Sequence, residues 1–233
     1  MRIAILSDIH GNNYALEAVL RECKKNDIKK LLILGDVVGY YYHPEIVFKL
    51  LSEWQCEFIK GNHEIILENL YNDNNQLKKI GLKYGKGHIM ALNNLSFTQI
   101  NFLFSLNFNK DIIIDNLHFQ MNHGTPWDYN YYLYPDSDTK LFEKCLEGKY
   151  DFVLIGHSHY MFSYKNNNKI LINPGSVGQS RKKGGIANWA EIDTITKDFD
   201  LKSVSYSINE LYDEIYKSEG LNSYSLKILT RNK

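Results

Sequence analysis

A chain of 233 residues is long enough to bury a substantial core as one large domain. Its 27 lysines and arginines balance 27 aspartates and glutamates, so no bulk attraction to nucleic acid or an anionic membrane is indicated, and charge-based recognition has to be local. Cys23, Cys56 and Cys145 are odd in number, far apart and without metal-like spacing, which predicts reduced, mostly buried thiols. No stretch approaches the roughly 20 apolar residues of a membrane helix, and the apolar run Ile3 to Leu6 is too short for a secretory leader. These features predict a cytoplasmic protein with no membrane partner.

Arg2 to Ser7 reads as a short apolar strand. Leu16, Val19, Leu20 and Cys23 after it are spaced to lay one apolar stripe on a helix, with Asn12 or Asn13 as its cap. Leu31 to Leu34 is a second apolar strand, and near-continuous apolar strands imply a sheet covered on both faces. Pro44 opens a predicted helix through Trp54, and Cys56 to Lys60 gives a third strand, so the first third reads as α/β. After the polar break Asn72 to Gln76, residues 77 to 94 read as helical despite three glycines, and Ser96 with Gln99 predicts a capping box on a further helix. Residues of about 73–106 thus read as a helical insert or cap within a single domain spanning 1–233. Beyond it strands dominate, at 111–115, 116–122, 151–155, 160–164, 169–173, 187–193 and 199–206, with Lys165 to Lys169 turning a hairpin. Asn209 to Lys217 is expected to close the chain as a helix.

The residues that follow the strands carry the chemistry. Asp8 and His10 stand in SDIHG after the first strand, Asp36 in GDVVG after the second, and Asn62 and His63 in GNHE after the third. His123 stands in NHG, and His157 with His159 in GHSH. Sites in open α/β sheets form outside the carboxyl ends of strands, so these groups are expected to converge. Each motif alone is weak, because an aspartate after a glycine is often a turn. Turns usually use small polar residues, however, and imidazoles there have no packing purpose. Imidazole nitrogens mixed with carboxylate and amide oxygens, without thiolate, suit manganese, iron, zinc, cobalt or nickel.

In this order the motifs resemble those of the calcineurin-like metallophosphoesterases. Asn173 to Arg181, NPGSVGQSR, is similar to the segment after the last metal motif in the compact bacterial and archaeal branch, so the resemblance covers nearly the whole chain. It implies an α/β fold, a four-layer αββα sandwich of two mixed β-sheets flanked by helices, with a dinuclear metal site at the C-terminal ends of strands. It also implies that Asp8, His10, Asp36 and His159 hold one divalent ion and Asp36, Asn62, His123 and His157 the other, with Asp36 bridging. Manganese is the first expectation for both ions.

Two divalent ions and two aspartates leave a positive cluster that draws in an anionic phosphoryl group. Such ions, about 3.5 to 4 Å apart, acidify a bridging water that serves as nucleophile and neutralise the oxygens of an in-line displacement. Asn62 can ligate through its carbonyl while its amide donates to the phosphate. The resemblance makes His63 the general acid that protonates the leaving oxygen, a task suited to a histidine near its ordinary pKa. The expected substrate is a small phosphate ester or nucleotide, hydrolysed by a phosphodiesterase or phosphatase. A dinucleoside polyphosphate hydrolase is the alternative, and a non-catalytic scaffold, disfavoured by the complete ligand set, is the remote one.

The chain departs from the family in places. GDVVGYY puts Gly39 and Tyr40 where the branch acting on phosphoserine and phosphothreonine resembles GDxVDRG, which argues against a eukaryotic-type protein phosphatase. The compact branch commonly reads GDVVGYG, and Tyr41 in place of its last glycine predicts a bulkier loop beside Asp36. Trp127 to Pro135, WDYNYYLYP, is either a wall on which a nucleobase stacks or packing for a sheet edge, a dimer contact or the helical insert. Trp127 and Arg181 are the candidate substrate contacts, Arg181 as a phosphate fork against the plainer reading of a solvated loop arginine. His43, His88 and His118 match no motif and read as structural or surface residues. Zero net charge, with no lysine-rich groove in the motif loops, gives no footprint for long nucleic acid, and the oligomeric state is left open.

Overall fold

The computed structural model describes residues 1–232. The first part alternates strands and helices: β1 (Arg2–Leu6), α1 (Asn13–Lys25), β2 (Lys30–Ile33), α2 (Pro44–Leu51), β3 (Gln55–Phe58) and α3 (Asn62–Asn72). Three further helices follow, α4 (Leu77–Tyr84), α5 (Gly87–Asn94) and α6 (Phe97–Ser105). Then come β4 (Asn109–Ile114), β5 (Leu117–Asn122), α7 (Thr139–Cys145), β6 (Phe152–Leu154), β7 (Met161–Asn166), β8 (Lys169–Pro174), β9 (Ile186–Asp193) and β10 (Phe199–Ser205). The helices α8 (Asn209–Glu219) and α9 (Tyr224–Leu229) end the described chain.

The strands form two five-stranded mixed sheets, ordered β10-β9-β1-β2-β3 and β4-β5-β6-β8-β7. In the first, β1, β2 and β3 run parallel and β9 pairs antiparallel to β1; in the second, β5, β6 and β8 run parallel between two antiparallel edges. Side chains alternate across each strand. Ile3 and Ile5 of β1 therefore face Phe119, Phe152, Leu154 and Ile172 of the second sheet, while Ala4 and Leu6 meet Leu16, Val19 and Cys23 of α1. On the far side, Val153 and Leu171 pack against Phe142 and Cys145 of α7. The layers thus run helices, sheet, sheet, helix, and the carboxyl ends of both sets of parallel strands carry the loops that hold the site.

Asn12 caps α1, its side-chain oxygen accepting from Ala15 N at 3.0 Å. The helix after Pro44 ends at Leu51, short of Trp54, and the helical stretch 77–94 is two helices, because Gly85 adopts φ +71° and ends the first. The helices α7 and α9 give no sequence signal, being seven and six residues long and too short for a period to emerge. The three tyrosines after Gly39 form the seat of the C-terminal helices. Tyr40, Tyr41 and Tyr42 are buried against Leu211, Ile215, Leu226 and Leu229, and Tyr42 donates to Glu219 at 2.6 Å. Cys23 and Cys145 are buried, Cys56 is half-buried, and all three are free thiols. Among the described residues no helix is long and apolar enough to cross a membrane.

Phe119 and Phe152 stack between the sheets with centroids 5.1 Å apart and planes 9° apart. Phe152→Ala is expected to cost about 3 to 5 kcal/mol. A urea melt reads this as a lowered midpoint, and an unchanged midpoint would show that the contact between sheets does not hold the layers together.

Candidate metal centre

Eight side chains from the ends of five parallel strands meet at one place. Asp8 and His10 follow β1, Asp36 follows β2, and Asn62 and His63 open α3 directly after β3. His123 follows β5, and His157 and His159 follow β6, so each sheet supplies part of the cluster. Donor atoms of Asp8, His10 and His159 lie within 4.8 Å of one another, as do those of Asp36, His123 and His157. His10 and Asp36 form a third such group with His63. His10, His123 and Asp8 are fully buried, and Asp36, His157 and His159 are at most 4% exposed.

The backbone aims these groups. Asp8, His10, Asp36, His157 and His159 all adopt positive φ, between 52° and 63°. Residues other than glycine enter this region at a cost of order 1 kcal/mol each, and such strain gathers where function needs a side chain aimed. Left-handed geometry at both His157 and His159 ends the pleat after β6. The two imidazoles therefore enter different groups, His157 that of Asp36 and His159 that of Asp8. Ser158 between them is turned away, its hydroxyl accepting from Asn173 Nδ2 at 3.1 Å.

Hydrogen bonds set which atoms face inward. His10 Nδ1 bonds the Val38 carbonyl at 3.1 Å, His123 Nδ1 that of Leu34 at 2.6 Å and His159 Nδ1 that of Gln179 at 3.0 Å. A carbonyl can only accept, so these nitrogens carry the protons and each Nε2 presents a lone pair to the cluster. Each aspartate divides its oxygens in the same way. Asp8 Oδ2 accepts from His157 N at 3.1 Å and Asp36 Oδ1 from His63 N at 2.8 Å, at the start of α3. Asp8 Oδ1, Asp36 Oδ2 and His157 Nε2 have no hydrogen-bond partner among the described residues. The lone pairs of His10 Nε2 and His159 Nε2 meet at 3.2 Å, and that of His123 Nε2 lies 3.0 Å from Asn62 Oδ1 and 3.4 Å from Asp36 Oδ2. Acceptors pointed at acceptors out of water are unfavourable until a cation lies between them. The donor set therefore fits divalent metal ions, with mixed nitrogen and oxygen ligands and no thiolate.

Without metal the geometry draws protons instead. Burial opposes a charge on His123, but Asp36 beside it outweighs this and pushes the ring up to about 10. Burial alone would raise Asp8, yet His159 alongside holds its carboxyl at about 2. Burial drives His157 down to about 4, reinforced by His123. His63 does not titrate in its ordinary range: burial pushes it well below, against the pull of Asp36.

Two residues without an assigned part in the sequence reading belong to the site. Glu64, in GNHE, is fully buried, and its carboxylate accepts from the backbone N–H groups of Asp36, Val37, Val38 and Gly61 at 2.8 to 3.3 Å. It ties the loop after β2 to the start of α3. Gly61 completes the junction, since a side-chain carbon there would overlap Asp36 Oδ1. His88 on α5 is neither a surface residue nor remote from the site. It is fully buried, with its Nε2 3.2 Å from His63 Nδ1. Nothing in its spacing could have announced this, because the contact spans 25 residues.

Among the aromatic residues after His123, Tyr132 lies at the centre, its ring centroid 3.8 Å from that of His157. Trp127 is exposed, with Lys144 Nζ 4.1 Å over its ring. Tyr40 and Tyr84 flank His63, each with centroids 4.9 Å away. Arg181 is half-buried and bonded rather than solvated: its guanidinium donates to the Tyr224 hydroxyl, and its carbonyl accepts from Arg231 at 2.8 Å.

A two-sheet sandwich carrying histidine and aspartate donors at the strand ends defines a scaffold suited to holding divalent metal ions. Residues 1–195 match the calcineurin-like phosphoesterase superfamily domain, and the chain belongs to that family. An uncharacterized protein of Methanocaldococcus jannaschii is 30% identical over 233 residues, covering 93% of this chain and 92% of its own. The crystal structure of a hypothetical protein from Pyrococcus horikoshii shares the fold with a TM-score of 0.79 and 21% identity, over 98% of this chain and 97% of its own. A metallophosphoesterase from Sphaerobacter thermophilus shares it with a TM-score of 0.79 and 23% identity, over 98% of each chain.

Metal uptake must displace protons, above all from His123. Loading at pH 7 is expected to release about one proton per chain, with affinity falling as the solution is made more acidic. Calorimetric titration in two buffers of different ionisation enthalpy measures this, and uptake with no proton release would contradict the arrangement.

Proposed function

We propose that the protein is a dinuclear metal-dependent phosphoesterase that hydrolyses small phosphate esters, diesters or monoesters. The observation that carries this reading is the set of buried polar atoms without a partner among the described residues, Asp8 Oδ1, Asp36 Oδ2 and His157 Nε2, each within one of the donor groups. In this reading Asp8, His10, Asp36 and His159 hold one ion and Asp36, Asn62, His123 and His157 the other, with manganese as the first candidate. Bound there, two divalent ions acidify a water and offset charge on the phosphoryl oxygens.

The chain's own residues do the rest. Asn62 is only half-buried, so with its oxygen turned to His123 its amide is free to donate to a phosphoryl oxygen. His63 gives its proton to the leaving oxygen. Burial makes that proton easy to lose, and an anionic substrate beside the ring favours the charged form again, so protonation is coupled to substrate binding. Tyr132 and Arg181 border the substrate space. Burial pushes the Tyr132 hydroxyl up to about 12, which keeps it a neutral donor.

A second reading, hydrolysis of dinucleoside polyphosphates, is favoured by Tyr132, which stands against His157 while remaining 46% exposed. An aromatic face so placed can stack on a base, an interaction worth about 1 to 3 kcal/mol. Tyr132→Leu then weakens base-bearing substrates selectively, and equal losses on a bare phosphate ester would remove the stacking role.

The deciding experiment is an assay of the metal-loaded protein against phosphate monoesters, cyclic nucleotides, other diesters and dinucleoside polyphosphates. His63→Ala is expected to keep both ions yet lose about 10²- to 10⁴-fold in kcat on esters with poor leaving groups. Asp36→Ala is expected to lose metal and activity together. No turnover by the loaded parent protein on any of these classes would overturn the enzyme reading.

A further inference from the structure

Packing alone does not account for His88. Its Nε2 lies 3.2 Å from His63 Nδ1, with ring planes 12° apart and centroids 5.0 Å apart, so an N–H of one ring meets the lone pair of the other. Its second nitrogen, Nδ1, is buried with no partner among the described residues. A polar group left so costs about 1 to 3 kcal/mol, which an apolar residue of similar size would avoid. The backbone is shaped around the contact. Gly39 adopts φ +96°, and a side-chain carbon there would overlap His63 Nδ1. Gly87, next to His88, has room only for hydrogen, since a carbon would lie 2.5 Å from Tyr40 N.

We propose that His88 is a positioning residue for proton transfer: its Nε2 accepts the Nδ1–H of His63 and leaves His63 Nε2 as the nitrogen that faces the leaving group. This rests on the reading of His63 as the general acid. A ring nitrogen of His63 lies within 4.8 Å of donor atoms of His10 and Asp36, and with Nδ1 held by His88 the free nitrogen is Nε2. The proton count closes. Imidazolium His63 passes its Nε2 proton to the leaving oxygen and becomes the neutral ring protonated at Nδ1, and water later restores the proton. The bond to His88 is the same before and after transfer, so the ring need not turn within the cycle. His88 is suited to accept throughout, because burial drives it down to about 4 against the pull of Asp36.

The test compares His88→Leu, which keeps bulk, with His88→Gln, which restores an acceptor, on an alkyl phosphodiester and on a 4-nitrophenyl ester whose leaving group needs no proton. Metal content is measured on every variant. His88→Leu is expected to keep both ions and its KM while kcat on the alkyl ester falls about 10- to 100-fold, with a far smaller change on the nitrophenyl ester. His88→Gln should recover most of the loss. Should His88→Leu fold poorly or lose metal, His88→Gln decides alone, and a kcat ratio between the two esters equal to that of the parent supports an acceptor at this position. Equal losses on both esters in His88→Leu, or no loss, would overturn the positioning role. His63→Asn separates the two ideas. If it spares the alkyl ester, the general-acid reading fails and takes this one with it; if it loses that activity while His88→Leu does not, only the role of His88 fails.

Discussion

The structure turns on a confrontation of acceptors. Lone pairs of three imidazoles, the partnerless Nε2 of His157 and free oxygens of two aspartates face one another among buried side chains, and the close ion pairs of Asp8 and Asp36 are with histidines. Removing two carboxylates from water costs several kcal/mol each unless a positive charge compensates. His123 shows the demand for that charge, since Asp36 beside it pushes its ring up to about 10 against the effect of burial. Divalent cations held there would provide that charge fully, and the excess positive charge they bring would favour an anionic phosphoryl group. A chain with no net charge thereby concentrates a local field where it is used.

Much of the architecture can be understood as holding those acceptors in place against their repulsion. The two sheets each deliver part of the cluster, so the core between them, built on Ile3, Ile5, Phe119 and Phe152, also sets the distance between the two groups of donors. Five donor residues hold left-handed backbone conformations that only a well-determined surrounding sustains. Glu64 contributes most to that surrounding, since one buried carboxylate gathers four amides from two loops. Its own pKa is raised to about 7, chiefly by burial and by the charge of Asp36, so this brace is under electrostatic stress as well. The C-terminal helices close the other flank by resting on Tyr40, Tyr41 and Tyr42, which gives the bulky side chains of this loop their packing role.

Features that repeat along the chain were legible in the sequence, and features made by distant contacts were not. Apolar runs located the strands, and polar residues placed after each run located Asp8, His10, Asp36, Asn62, His63, His123, His157 and His159 at one end of the sheets. On an ideal strand, residues two apart such as His157 and His159 point the same way. Two left-handed residues reverse that expectation, and their φ angles leave no trace in composition. Glu64 was visible in GNHE but not its part, because its partners lie across the loop after β2. His88 and Tyr132 reach the site only through the third dimension, one from the helical stretch after α3 and the other from the loop after β5. Trp127, the most conspicuous aromatic of that loop, holds Lys144 Nζ over its ring.

The central claim is that two ions, held by one shared cluster, are needed for phosphoester hydrolysis. The most direct measurement follows turnover of a phosphodiester as manganese is titrated into metal-free protein while bound metal is counted. The account predicts that activity is absent without metal and reaches its plateau at two ions per chain. A plateau at one ion, or turnover by the metal-free protein, would contradict it.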